Sequence, residues 1–301
     1  MLTTLIVENE RGERLDLSPF SARNDGDTDY TVTDIRGLCP VPNNIGTQEY
    51  ANSDGVLINN IRCGKRNIVI DITLGKDIEK SRMNLYRYFA AKKITRLYLD
   101  IGGRSLYIDG YVETSECNFF TGSEVMQISM ICPDPYFKAH KEYTLSIKDS
   151  VAMFEFPFSI PMEGIVFSEK GSMGKSANIT GGNAESGIIF EITALKPYGA
   201  WNNHRTLIFE NKTTEIRFSL NELYLSSGEI LYINTFQGYK IAQIRRNNGT
   251  VDNALAKFSG DWISIIPGIN NIEVHDRDDT DYTMIDKLEI KAQTYEYYIG
   301  V

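Results

Sequence analysis

The feature that most constrains this chain is its punctuation. Short stretches rich in Val, Ile, Thr, Tyr and Phe recur along the 301 residues, and each is closed by a turn signal. Leu2–Asn9 and Glu13–Leu17 flank Glu10-Arg11-Gly12 and predict a hairpin. Leu97–Ile101 and Ser105–Glu113 flank Gly102-Gly103-Arg104, where consecutive glycines accept the positive φ angles of a tight turn. Tyr30–Gly37, Asn67–Leu74 and Glu124–Cys132 complete the strands expected in the first half. The second half repeats the pattern in Gly187–Leu195, Thr206–Glu210, Thr214–Leu220, Glu229–Thr235, Tyr239–Arg246, Ile263–Ile266, Asn271–His275 and Leu288–Tyr298. The intervening turn signals include Glu210-Asn211-Lys212, Ser227-Gly228, Gln237-Gly238, Asn247-Asn248-Gly249 and Pro267-Gly268. Many short strands with such spacing predict β-sandwiches.

One segment departs from the two-residue period. Over 77–93 (DIEKSRMNLYRYFAAKK), Ile78, Leu85 and Phe89 fall on one helical face with Tyr86 and Ala90 beside it. Asp77 suits the N-cap, Glu79 the first turn, and Lys92 and Lys93 the last. The helix is expected to cover one face of the N-terminal sheet.

A chain of 34.1 kDa exceeds one ordinary domain. The composition shifts across Asp134–Ser150, which places a boundary near residue 140, giving domains 1–140 and 141–301. The fold class expected is therefore mainly β, with two sandwich-type domains and a single helix flanking the first.

Charge and cysteine content exclude several functions. The net charge is −9, with 17 basic and 20 acidic residues over 1–143 and 14 and 20 beyond. Neither half carries the basic footprint that phosphate neutralisation needs, so no nucleic-acid partner is expected. Cys39, Cys63, Cys117 and Cys132 are too far apart in sequence for a CxxC zinc motif or a dense disulfide scaffold, and reduced thiols are expected. The N-terminus lacks the marks of a signal peptide, and no apolar run approaches the length of a membrane span. The chain is expected to be made in the cytoplasm, with no membrane insertion.

Catalytic chemistry is sparse. His140, His204 and His275 lie far apart in sequence, and no GxSxG or HExxH motif accompanies them. The run Asp276, Asp278, Asp279 and Asp281 offers oxygens to a hard cation but lacks the glycine and terminal glutamate of an EF-hand loop, and Asn24–Asp29 is similar. Both are expected to be exposed loops. Gly174-Lys175-Ser176 has Glu169 where a P-loop needs glycine, so Gly171–Gly187 is expected to be a flexible loop. No catalytic, cofactor-binding or metal-binding residue is assigned. Tyr198 and Trp201, in Lys196-Pro197-Tyr198-Gly199-Ala200-Trp201, are the candidates for a saccharide-stacking platform, against the alternative that they pack onto the end of the sandwich.

The order of these pieces resembles a known family. The N-terminal hairpin, Tyr30–Leu38, a polar stretch ending in Asp54-Gly55, the strand Arg66–Ile72, the single helix and the Gly-Gly hairpin lead to Cys132-Pro133-Asp134-Pro135-Tyr136-Phe137. The second half adds Leu225–Thr235 and Asp261–Ile272, with its Pro267-Gly268-Ile269-Asn270 turn. This succession resembles the distal tail (Dit) family of siphophages. The resemblance implies a non-enzymatic structural protein of the virion tail tip. In it, six N-terminal domains close into a homo-hexameric ring and a galectin-like C-terminal domain projects outwards. The ring's partners would be the tail tube protein and a tail-associated lysin or fibre protein. A carbohydrate-binding module that adsorbs to host-surface saccharide is the alternative.

Overall fold

In Arg66–Leu74 the side chains of Ile68, Ile70, Ile72 and Leu74 point one way and are buried, while those between them face outwards. The same alternation, a consequence of the two-residue period of a strand, organises most of the computed structural model. It describes residues 2–18, 30–50, 53–75, 77–118, 124–147, 151–152, 168–169, 174–278 and 283–301. The chain divides into unit 1, Met1–Ala139 with Tyr297–Val301, and unit 2, His140–Glu296.

Unit 1 contains β1 (Leu2–Glu8), β2 (Arg14–Asp16), β3 (Tyr30–Arg36), β4 (Asn43–Glu49), β5 (Val56–Cys63) and β6 (Arg66–Leu74). The helix α1 (Ile78–Tyr88), β7 (Ile94–Ile101), β8 (Arg104–Cys117) and β9 (Val125–Cys132) follow. Antiparallel pairing runs β2–β1–β7–β8 and β8–β9–β6–β3. Strand β8 belongs to both halves. Its residues Arg104–Tyr111 pair with β7, and Tyr111–Cys117 pair with β9 across an irregularity at Val112/Thr114. A strand that passes from one sheet to the other through a bulge forms a sandwich corner. Gly110 stands at that corner, where a Cβ would lie 2.9 Å from the Ile131 carbonyl oxygen. Leu97, Leu99, Leu106 and Ile108 from one half share a single buried cluster with Ile68, Ile70, Met126, Ile128 and Met130 from the other.

The helix begins as expected, with Asp77 accepting from the backbone N–H of Lys80 at 3.1 Å. It is shorter than the expected 77–93 and ends at Tyr88, because Phe89 turns into the core and Lys92 adopts a φ of 64°. Its buried face is Ser81, Leu85 and Tyr88, while Tyr86 faces outwards.

The chain enters unit 2 along β10 (Phe137–Ile147), and the two-residue strands β11 (Val151–Ala152) and β12 (Ser168–Glu169) pair with each other. Then come β13 (Gly174–Gly181), β14 (Ile188–Ala194), β15 (Arg205–Asn211), β16 (Ile216–Leu223), β17 (Ile230–Asn234) and β18 (Ile241–Arg245). The last are β19 (Val251–Asn253), β20 (Phe258–Gly260), β21 (Gly268–Asp276) and β22 (Leu288–Tyr298). One sheet runs β22–β14–β17–β18–β19 and the other β13–β21–β15–β16–β20, all antiparallel. Their inner faces share one core, in which Phe209 stacks on Phe218 at 4.7 Å.

Two expectations are corrected here, and one hairpin appears that the sequence reading did not foresee. Part of the glycine-rich stretch expected to be a loop is strand β13, paired with β21 over eight positions. Its glycines permit close strand approach, since a Cβ at Gly174 would sit 2.4 Å from the Val274 oxygen and one at Gly181 2.1 Å from that of Ile266. Ile263–Ile266 is not a strand, although Ile263 and Ile265 are buried and Ile265 forms a single bridge to Ser186. The polar stretch before Asp54-Gly55 contains β4, which pairs with β5 as a separate hairpin. The turn at Pro267–Asn270 behaves as its residues imply. Asn270 donates to the carbonyls of Ile266 and Gly268 and accepts from the Ile266 N–H, so its side chain closes the turn.

Candidate functional sites

In the β4–β5 hairpin the two strands are exposed along their whole length apart from Gly46. Register sets which side chains share a face. Asn43 pairs with Cys63, Ile45 with Ile61 and Gly46 with Asn60, after which Thr47 pairs with Ile58 and Glu49 with Val56. Asn59 is the extra residue of a bulge. Two residues therefore stand against one, and Ile58 and Ile61, three apart in sequence, project to the same side. Ile45, Val56, Ile58 and Ile61, each 49–59% exposed, form the apolar part of one face, which Asn43, Thr47, Glu49 and Cys63 share. Asn44, Arg62, Asn60 and Gln48 lie on the other face, with Leu57 as the exception.

The root of this hairpin is fixed by Arg66, which is 1% exposed. Its guanidinium donates to the carbonyls of Gly37 and Cys39, on the chain entering β4, at 2.5 and 2.7 Å. It also donates to Pro135 at 2.7 Å and Ile299 at 2.6 Å, and lies 4.5 Å from the centroid of the Phe137 ring. Burial lowers its pKa. Four carbonyl dipoles and a ring face thus replace water around the charge. Gly37 meets the same crowding, with a φ of 87° and a Cβ position 1.9 Å from the Asn67 oxygen.

In unit 2 the two residues expected to form a stacking platform part company. Tyr198 is fully buried, and its hydroxyl donates to Asp276 at 2.5 Å, so it is no surface contact. It packs onto the end of the sandwich because a buried carboxylate satisfies its hydroxyl and its backbone pairs with Leu225 in both directions. Trp201 is 77% exposed. Its neighbours are His204, at a centroid distance of 6.3 Å, and Tyr224, at 5.7 Å, both edge-on at 82°. His204 and Tyr224 are 5.7 Å apart and nearly parallel at 24°. Neither was identified from sequence. Tyr224 lies 23 residues from Trp201, and only the sandwich brings their loops together.

Asp276 is committed to this internal network, taking Arg205 at 3.0 and 2.7 Å as well as Tyr198. Asp279, Asp281 and the Asn24–Asp29 run lie outside the described residues. Among the described residues no group of three or more His, Cys, Asp or Glu side chains is placed to hold a metal. The histidines occupy separate elements. His140 lies against Tyr295, and His275 sits 3.4 Å from Glu273, its pKa lowered chiefly by burial. All four cysteines are free, with Cys132 buried and Cys39 and Cys63 exposed. Among the described residues no helix is long and apolar enough to cross a membrane.

No protein-family model and no curated protein matches the sequence. Its fold, however, is that of a solved protein. The SPP1 Dit protein (gp 19.1), described as a paradigm of the hub adsorption apparatus in phages infecting Gram-positive bacteria, aligns at a TM-score of 0.62 and 12% identity. The alignment covers 98% of this chain and 99% of that one. A chain of the phage P2 baseplate, in its activated conformation with Ca, aligns at 0.50 and 10% identity over 97% and 98%. The likeness therefore extends over both units and both chains' full lengths, in sequences too divergent for residue-level transfer.

Proposed function

We propose that this chain is a non-enzymatic structural subunit of a siphophage tail tip, a distal tail protein. Six copies of unit 1 close into a ring joining the tail tube protein to a tail-associated lysin or fibre protein. The observation that carries this reading is the β4–β5 hairpin. A hairpin whose apolar residues stay about half exposed loses hydrophobic stabilisation of about 25 cal/mol for each Å² left in water. A neighbouring copy restores it. When the hairpin of each copy seats on a different surface of the next, the contact is heterologous, and a suitable rotation closes it into a ring. The full-length likeness in fold to a hub protein supports the setting. Unit 2, a sandwich of its own, is free in this arrangement to face outwards.

Native mass spectrometry of the purified chain tests the reading. The expected species has six times the 34.1 kDa chain mass, and the double variant Ile58→Asp/Ile61→Asp runs as a monomer. A wild-type chain that stays monomeric at its highest soluble concentration, or a double variant that still assembles, refutes it.

A further inference from the structure

We infer that Trp201, His204 and Tyr224 form a binding platform for a neutral pyranose of a cell-surface polysaccharide. Trp201 takes the ring face, and the polar groups around it take the hydroxyls. The inference concerns unit 2 alone and does not depend on ring formation.

The platform begins with a turn. Ala200 and Asn203 exchange backbone hydrogen bonds at 2.9 and 3.1 Å, which leaves Trp201 and Asn202 at the corner of a tight loop. Gly199 precedes it with a φ of 69°, in a position where a Cβ would stand 2.8 Å from the Leu223 oxygen. The turn is gripped from beneath on both sides. The buried Asp276 carboxylate holds Tyr198, just before the turn, and Arg205, just after it. Tyr224 is held just as firmly. The Arg246 guanidinium lies 4.6 Å from its ring centroid, donates to its carbonyl at 3.1 Å, and is itself fixed by Glu229 at 2.8 Å and Asp252 at 2.7 Å.

An indole 77% in water is therefore supported by a rigid base instead of folding down onto the sandwich. Rigidity of that kind lowers the ordering cost of binding. The shape of the surroundings selects the ligand. One large aromatic face stands among Asn202, Asn203 and His204, all exposed, without the broad apolar core that a protein partner desolvates. A pyranose has the matching form, with C–H bonds on one face and hydroxyls at its rim. Arg205 and Arg246 are already engaged by carboxylates. The corner thus offers a ring face and hydrogen bonds more than free charge, which favours a neutral sugar over a phosphorylated or acidic one. Tyr198 acts here as a positioning residue and touches no ligand.

The test is a ¹H–¹⁵N NMR titration of the full chain with neutral tetrasaccharides of glucose, of galactose and of N-acetylglucosamine, following the indole N–H signals of Trp201 and Trp262. At least one sugar is expected to bind saturably, shifting the Trp201 signal and leaving that of Trp262, which packs on Phe258, in place. Trp201→Ala should weaken binding at least tenfold, and His204→Ala and Tyr224→Ala each by a smaller factor. Tyr198→Phe should weaken it as well, without Tyr198 signals responding to sugar in the wild type. Native mass spectra of Trp201→Ala should match those of the wild type, which separates this outcome from any failure of assembly. The absence of saturable binding to all three sugars, or equal binding by Trp201→Ala, overturns the proposal.

Discussion

Two of the antiparallel hairpins of unit 1, β7–β8 and β4–β5, have similar length and opposite fates. In β7–β8, eight register pairs run from Ile94↔Tyr111 to Ile101↔Arg104, and the inward residues Leu97, Leu99, Leu106 and Ile108 are at most 2% exposed. In β4–β5, seven pairs run from Asn43↔Cys63 to Glu49↔Val56, and Ile45, Val56, Ile58 and Ile61 are about half exposed. The backbone chemistry is the same in both, and so is the use of an apolar face. The difference lies in what stands opposite. The first hairpin has the strands of its own sandwich across from it, and the second has solvent in the isolated chain. Apolar content thus says that a face will be covered, and topology says whether the cover belongs to the same chain.

This contrast can be broken by mutation, most strongly on the covered side. Leu99→Ala, in a site without room to collapse, should lower the stability of the folded chain by about 3–5 kcal/mol, read from the midpoint of urea unfolding. Arg66→Met comes next. It keeps the side-chain bulk but leaves four carbonyls without their donor, and a loss of about 3 kcal/mol is expected. The same unfolding curve, together with faster amide exchange in β4 and β5, would show that the root of the hairpin depends on it. Gly103→Ala should cost about 1 kcal/mol for its left-handed backbone alone, since nothing lies within 4 Å of the new Cβ. On the uncovered side, Ile58→Asp/Ile61→Asp should change monomer stability by no more than about 0.5 kcal/mol while abolishing assembly. If the double variant instead unfolds like Leu99→Ala, the two hairpins are not different in kind.

The covered hairpin was legible and the uncovered one was not, for a physical reason. Leu97, Leu99, Leu106 and Ile108 alternate on either side of Gly102-Gly103, which is the plain signature of a half-buried hairpin. In β5 the apolar residues fall at 56, 57, 58 and 61, a spacing that fits neither period. Only the bulge at Asn59 reconciles it, and a bulge is a property of two paired strands. The aromatic loop shows the same limit. That Trp201 stands in a turn is readable from its neighbours. That Tyr198 is drawn inwards depends on a carboxylate 78 residues away, and that Tyr224 and His204 replace it depends on loops meeting at one end of a sandwich. The sandwich class and the helix α1 came through because both rest on local periodicity.

The bulge in β5 also limits how this hairpin can vary in length. Deleting Asn59 would remove the extra residue and leave Val56, Ile58 and Ile61 on one side by plain alternation, opposite Glu49, Thr47 and Ile45. Deleting Leu57 instead, with the bulge kept, would set Val56 opposite Gln48 and turn it to the other face. Loss of one residue should therefore be tolerated at the bulge itself and should weaken assembly when it falls between Val56 and Ile58.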